Sequence, residues 1–149
     1  MTEIKVCGIK KEEDLLSLID LNVTWAGFVF FKKSIRNVDY EKKELFEIAK
    51  NKIGIVSLFV DPENEFIDKI VQKVSPDLIQ LHGYETPERC FEIKKRFGIP
   101  VMKALEVKGF QSLNYAYKYE HTVDKLLFDA KLTQEKLKGE KTDTIDWDI

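Results

Sequence analysis

Two residues near opposite ends of this chain have the chemistry of a base and an acid. Cys7 closes the short run Lys5-Val6-Cys7, and Asp129 closes Leu126-Leu127-Phe128-Asp129. A thiolate can take a proton from carbon, and a carboxyl group in apolar surroundings keeps its proton and can act as a general acid. Each residue also has a plainer use. Free cysteine is a common small core residue, and an aspartate after a strand can cap the segment that follows. Arg36, in Lys32-Lys33-Ser34-Ile35-Arg36, has the forked geometry that grips an anion; its plainer reading is a solvated loop charge, as for Lys32 and Lys33. His82, in Ile79-Gln80-Leu81-His82-Gly83, suits either substrate binding or a capping or core-satisfied histidine. Cys90 falls on an apolar stripe and reads as core, whereas His121, between Glu120 and Thr122, reads as exposed.

These residues share a position in the chain's rhythm. Strand-like runs at Glu3–Gly8, Thr24–Phe30, Lys52–Val60, Asp77–His82, Pro100–Val107 and Asp124–Ala130 begin at intervals of 21 to 28 residues. That interval accommodates a strand, a helix of about three turns and two short loops. Several runs are apolar on both faces, as in Ile53-Gly54-Ile55-Val56-Ser57-Leu58-Phe59-Val60, which fits parallel strands covered on both sides. Between them lie amphipathic segments. Phe66, Ile67, Ile70, Val71 and Val74 form one stripe, and Cys90, Ile93 and Phe97 another; Leu15, Leu18 and Ile19 face inward earlier, as do Leu45, Phe46, Ile48 and Ala49. Asp61-Pro62-Glu63 and Thr86-Pro87-Glu88 both read as helix starts, with a cap, a proline at the first helical position and an early carboxylate.

Alternating strands and helices imply an α/β domain with a parallel sheet, either a closed barrel or an open doubly wound sheet. In both, working residues gather beyond the carboxyl ends of the strands, where Cys7, Arg36, Asp61, His82, Glu106 and Asp129 fall.

The 149 residues read as one domain, with no linker or low-complexity segment. A net charge of −2 without a basic stripe argues against nucleic acid, and no apolar run approaches the ~20 residues of a membrane span. The N-terminus enters a strand without the pattern of a signal peptide, and Cys7 and Cys90 do not make a disulfide framework, so a cytoplasmic protein is expected. No metal-ligand spacing, phosphate-binding loop, dinucleotide fingerprint or nucleophile elbow occurs, and no cofactor is expected.

Several segments, taken in order, resemble the phosphoribosylanthranilate isomerases of tryptophan biosynthesis. They are Lys5-Val6-Cys7-Gly8-Ile9, Ala26-Gly27-Phe28-Val29-Phe30 with Lys33-Ser34-Ile35-Arg36, Gly54–Val60, Leu78-Ile79-Gln80-Leu81-His82-Gly83, Leu127-Phe128-Asp129 and Ile145-Asp146-Trp147. The resemblance implies a (β/α)8 barrel and an Amadori rearrangement of N-(5′-phosphoribosyl)anthranilate, a small phosphorylated substrate. It implies that Asp129 is the general acid, Cys7 the general base, and Arg36, His82 and Gln80 substrate-binding residues. The family's glycine-rich loop corresponds to Lys138–Trp147, where Gly139 alone remains and Glu140 and Asp143 add negative charge.

A barrel of this type takes roughly 200 to 250 residues, so about six of its eight units are expected in this length. Strands seven and eight, with their phosphate-binding loops, are then expected to be lacking. Unpaired edges on strands one and six would invite self-association or completion by another chain. Two competing expectations follow: a non-catalytic barrel fragment acting with a partner, and a doubly wound binding module, which would place strand one inside the sheet.

Overall fold

The computed structural model describes residues 2–107 and 110–130. Strands β1 (Lys5–Cys7), β2 (Trp25–Val29), β3 (Gly54–Phe59), β4 (Leu78–Leu81), β5 (Val101–Val107) and β6 (Lys125–Ala130) form one parallel sheet in chain order. Helices α1 (Glu12–Asp20), α2 (Lys43–Ala49), α3 (Asn64–Val74), α4 (Pro87–Phe97) and α5 (Phe110–Ala116) fall between successive strands, α5 running into a single 3-10 turn at Tyr117–Tyr119. Each strand pairs beside its predecessor, so the winding never reverses. A doubly wound sheet reverses at an interior first strand, and here β1 lies at the edge. The doubly wound alternative is therefore excluded; these are successive units of a (β/α)8-type fold. The sheet curls enough for Lys125, at the start of β6, to reach Glu3, just before β1, at 2.7 Å. Trp25 Nε1 donates to the same carboxylate at 3.2 Å.

Every expected strand run contains the observed strand and overshoots it, and before β2, β4 and β6 the flanking polar residue adds a side-chain bond to the preceding strand. Thr24 Oγ1 accepts the Ile4 N–H at 3.2 Å, Asp77 Oδ2 the Ile55 N–H at 2.8 Å, and Asp124 Oδ2 the Val101 N–H at 2.9 Å. Thr24, Asp77 and Asp124 stand immediately before β2, β4 and β6, and each reaches back to the start of the preceding odd-numbered strand. Their backbones complete the clamp: Trp25, Asp77 and Asp124 donate N–H to the carbonyls of Ile4, Ile55 and Val101.

Strand alternation sends side chains to two faces. Toward the helices, Phe28, Phe30, Ile55, Phe59, Ile79, Leu81, Val101 and Leu105 join Leu15, Phe46, Ile67, Ile70, Cys90 and Ile93 in one buried cluster. Its centre is aromatic: Phe28 meets Phe46 edge-on with ring centroids 5.2 Å apart, and Phe59 meets Phe66 in the same way at 6.0 Å. Buried Val29, Leu58 and Gln80 point to the opposite, concave face.

The helix starts divide. Thr86 caps α4 by accepting the Arg89 N–H at 3.3 Å, with Pro87 first in the helix and Gly98 at its end. The other expected start is corrected. Asp61 has φ 44°, α3 begins at Asn64 after Glu63, and the Asp61 carboxylate accepts the Tyr84 N–H at 2.7 Å instead. A left-handed backbone at Asp61 turns its carboxylate across to the loop after β4, and Asp tolerates that conformation better than most residues.

That loop is fixed from below by a buried ion pair. Lys103 and Glu85 side chains are each 2% exposed and meet at 2.9 Å between Lys103 Nζ and Glu85 Oε2. Lys103 Nζ also donates to the Gly83 carbonyl at 2.7 Å, while Glu85 accepts the N–H groups of Asp61 at 2.9 Å and Gly83 at 3.0 Å. The Tyr119 hydroxyl donates to the Glu85 carbonyl at 3.0 Å. A charge pair this dry is stabilising only because its remaining donors and acceptors are also satisfied.

Lys103→Met, which leaves the Glu85 carboxylate buried without its cation, is expected to cost about 3–5 kcal/mol in urea denaturation, with part of the loss recovered by adding Glu85→Gln. A second expectation concerns acid. Burial favours the protonated form of Asp124, but hydrogen bonds from Lys94 Nζ and the Val101 N–H outweigh it and hold the carboxyl below its ordinary value. A carboxyl lowered by folding adds stability above its unfolded pKa, near ~3.9, and that contribution is lost as pH falls through the folded value. The fall in urea midpoint below about pH 4 should therefore be shallower in Asp124→Asn than in the unaltered chain.

Candidate active site

The concave face opens into a cavity of ≈ 270 Å³ at the carboxyl ends of the strands, and Cys7, Arg36, Gln80, His82 and Asp129 all line it. Chain order and strand parity account for this. Cys7, Gln80 and Asp129 lie on β1, the third strand away and the last, on residues whose side chains all turn to the concave side. Val29, Leu58 and Leu127 form apolar walls between the polar groups.

Cys7 is the last residue of β1, in register with Gly27 on β2. A Cβ on Gly27 would sit 2.9 Å from Cys7 Sγ, so the missing side chain is what gives the thiol its place. The next residue, Gly8, has φ 93°, and a Cβ there would lie 2.7 Å from Arg36 Cδ. Thus one glycine accommodates the sulfur and the other accommodates the stem of the arginine. Arg36 sits in an exposed loop after β2 whose return is fixed by three bonds. Its own N–H donates to Ser34 Oγ at 3.1 Å, Lys10 Nζ donates to the Ile35 carbonyl at 2.9 Å, and Val38 N–H rejoins Val29 at 2.9 Å.

Across the cavity, His82 Nδ1 lies 2.9 Å from Gln80 Nε2, and His82 Nε2 lies 3.5 Å from Asp129 Oδ2. The His82 N–H also bonds the Phe59 carbonyl at 2.9 Å, which pins the base of the side chain to β3. Gln80 is 1% exposed, and its Oε1 has no hydrogen-bond partner among the described residues. Asp129 pairs in register with Glu106 on β5, which sets two carboxylates side by side at the rim. An arrangement of this kind can protonate a ligand on one side, deprotonate it on the other and hold an anionic group at the mouth.

All five expected site residues meet in one place, and the plainer readings of two others also hold. Cys90 is fully buried, and burial pushes its thiol up to about 12, so it is an inert part of the core. His121 is exposed. The expected glycine-poor loop at Lys138–Trp147 lies outside the described residues. Three participants were not singled out from sequence. Lys5 lines the cavity two residues before Cys7, on the same face of β1, and period-two spacing from the thiol would have found it. Lys103 interrupts the apolar run Val101-Met102-Lys103-Ala104-Leu105, the mark of a buried charge with a partner. Its partner, Glu85, carries no local signal. Among the described residues no group of three or more His, Cys, Asp or Glu side chains is arranged to hold a metal, and no helix is long and apolar enough to cross a membrane.

Known proteins resemble this chain in sequence and in fold. Residues 4–149 match the family model of N-(5′phosphoribosyl)anthranilate (PRA) isomerase. The N-(5′-phosphoribosyl)anthranilate isomerase of Paramagnetospirillum magneticum is 41% identical over 99% of this chain and 69% of its own length. That of Rhizobium meliloti is 42% identical over 87% of this chain and 61% of its own. The crystal structure of phosphoribosyl anthranilate isomerase from Thermotoga maritima superposes with a TM-score of 0.85 at 31% identity, covering 99% of this chain and 69% of that one. A phosphoribosyl anthranilate isomerase in complex with reduced 1-(o-carboxyphenylamino)-1-deoxyribulose 5-phosphate gives 0.80 at 31% identity, covering 89% and 66%. The chain thus spans about two thirds of the length of these relatives, and it belongs to the N-(5′-phosphoribosyl)anthranilate isomerase family.

Proposed function

We propose that this chain carries the acid–base pair of an isomerase that converts N-(5′-phosphoribosyl)anthranilate to 1-(2-carboxyphenylamino)-1-deoxyribulose 5-phosphate. The observation that carries the reading is the meeting of Cys7 and Asp129 in one cavity with Arg36 at its mouth. A related family member binds the reduced form of that product, which supports the substrate class.

Asp129, as the acid, gives its carboxyl proton to the furanose ring oxygen. The C1′–O bond breaks with its electrons going to that oxygen, and the anthranilate nitrogen lone pair forms the C1′=N bond. The Cys7 thiolate then takes the C2′ proton. The C–H electrons become the C1′=C2′ bond of an enolamine, the C=N electrons return to nitrogen, and tautomerisation gives the ketone. Arg36 holds the anthranilate carboxylate by charge-assisted hydrogen bonds. The proton removed from carbon and the proton given to oxygen balance within the isomerisation, so no external oxidant or reductant takes part.

In a fluorescence assay of substrate turnover, Asp129→Asn and Cys7→Ser should each lower kcat by about 10²–10⁴-fold. Arg36→Ala should instead weaken binding of the reduced product analogue. The loss of a charge-assisted pair, about 1.5–3 kcal/mol, corresponds to roughly 10- to 100-fold in Kd. Turnover by Asp129→Asn at the unaltered rate would remove the acid assignment.

A further inference from the structure

We infer that His82 is a positioning residue for Asp129, with Gln80 setting which of its nitrogens carries the proton; this rests on the reading of Asp129 as the acid. The two contacts of His82 are mutually consistent in one tautomer. Asp129 Oδ2 can accept a hydrogen bond both in the carboxylate and, as the carbonyl oxygen, in the neutral acid, so Nε2, the nitrogen that faces it, is assigned as the donor. In a neutral imidazole the other nitrogen, Nδ1, is then an acceptor, and the group 2.9 Å from it is the amide nitrogen of Gln80, a donor. The three residues form one directed chain: Gln80 Nε2–H to His82 Nδ1, then His82 Nε2–H toward Asp129 Oδ2. The 3.5 Å separation at Asp129 is longer than an ordinary N–H···O hydrogen bond, and the two groups are inferred to close to bonding distance when substrate binds.

The direction of the chain has a chemical consequence. With a donor facing Oδ2, the neutral carboxyl keeps Oδ2 as its carbonyl oxygen and carries its acidic proton on Oδ1. When that proton leaves, the same N–H stabilises the carboxylate that remains. Reversing the Gln80 amide would make Nδ1 the donor and Nε2 the acceptor, drawing the acid's proton onto Oδ2. Gln80 is buried with its Oε1 unpartnered among the described residues, so the hydrogen bond it makes to His82 is what its burial secures. His82 is thereby assigned a role toward the acid, distinct from the direct substrate contact expected from sequence.

The inference is tested on the whole chain by nitrogen NMR of the histidine rings and by kinetics. The unaltered protein and Asp129→Asn should both show His82 with a protonated Nε2 and an unprotonated Nδ1. Gln80→Glu, which offers only acceptors, should protonate Nδ1. An Nδ1–H tautomer in the unaltered protein, or no change in Gln80→Glu, overturns the role of Gln80 whether or not Asp129 is the acid. In turnover, His82→Ala should lose on the order of 10- to 100-fold in kcat, as outer partners that orient a reacting group do, with KM little changed. His82→Gln, which keeps an N–H donor on that side chain, should recover most of the loss. A rise in KM at constant kcat would make His82 a substrate contact and overturn the positioning role; equal losses in both variants would also overturn it. Normal turnover in Asp129→Asn would sink the acid reading alone, because the tautomer is read from the ring itself.

Discussion

The two-residue repeat of a strand is the constraint on which the whole site depends. Six parallel strands wound in one direction put every second side chain on the concave face. Lys5 and Cys7, Gln80 and His82, and Leu127 and Asp129 reach the same cavity because each pair is separated by one residue that faces the helices. A slip of one residue in the ladder of β1 or β6 would turn the thiol or the carboxyl to the helical side and away from the cavity. Packing on one face thus fixes chemistry on the other. The residues between the functional ones hold the register as firmly as any hydrogen bond of the site.

Buried polar groups are met differently in the Lys103–Glu85 pair and in the cavity. On the helical side, Lys103 and Glu85 are nearly inaccessible, and every strong donor or acceptor they present is answered within the two loops they join. On the concave side, Gln80 Oε1 has no hydrogen-bond partner among the described residues. Complete satisfaction gives rigidity, and incomplete satisfaction leaves a group able to respond to a ligand. The rigid pair lies directly beneath the responsive one: it holds Gly83, the residue after His82.

The strand–helix alternation and the meeting of Cys7, Arg36, Gln80, His82 and Asp129 were legible in the sequence, because both follow from periodicity and from position at strand ends. Choosing between a barrel-type and a doubly wound sheet was not legible from periodicity, since both bury their strands on two faces; the edge position of β1 decides it. Asp61 misleads for a physical reason. An aspartate before proline looks like a helix cap, and the competing donor it satisfies, the Tyr84 N–H, lies twenty-three residues away. Glu85 was invisible for the same reason, since its partner is on the neighbouring strand. The roles of Gln80 and His82 toward each other needed coordinates, because a tautomer is set by which atom of an amide turns inward.

The clamps made by Thr24, Asp77 and Asp124 occur before alternate strands only, so they fasten β1 to β2, β3 to β4 and β5 to β6. At the same amino end of the strands, β3 is tied to β2 by main chain from the Gly54 N–H to the Thr24 carbonyl, and β4 to β5 from the Ile79 N–H to the Pro100 carbonyl. At the other end of the strands the joint between β4 and β5 is fastened by a side chain after all, where Lys103 Nζ donates to the carbonyls of Leu81 and Gly83. The two ends of the sheet are thus braced in a staggered way, and a joint without a side-chain fastening at one end can carry one at the other.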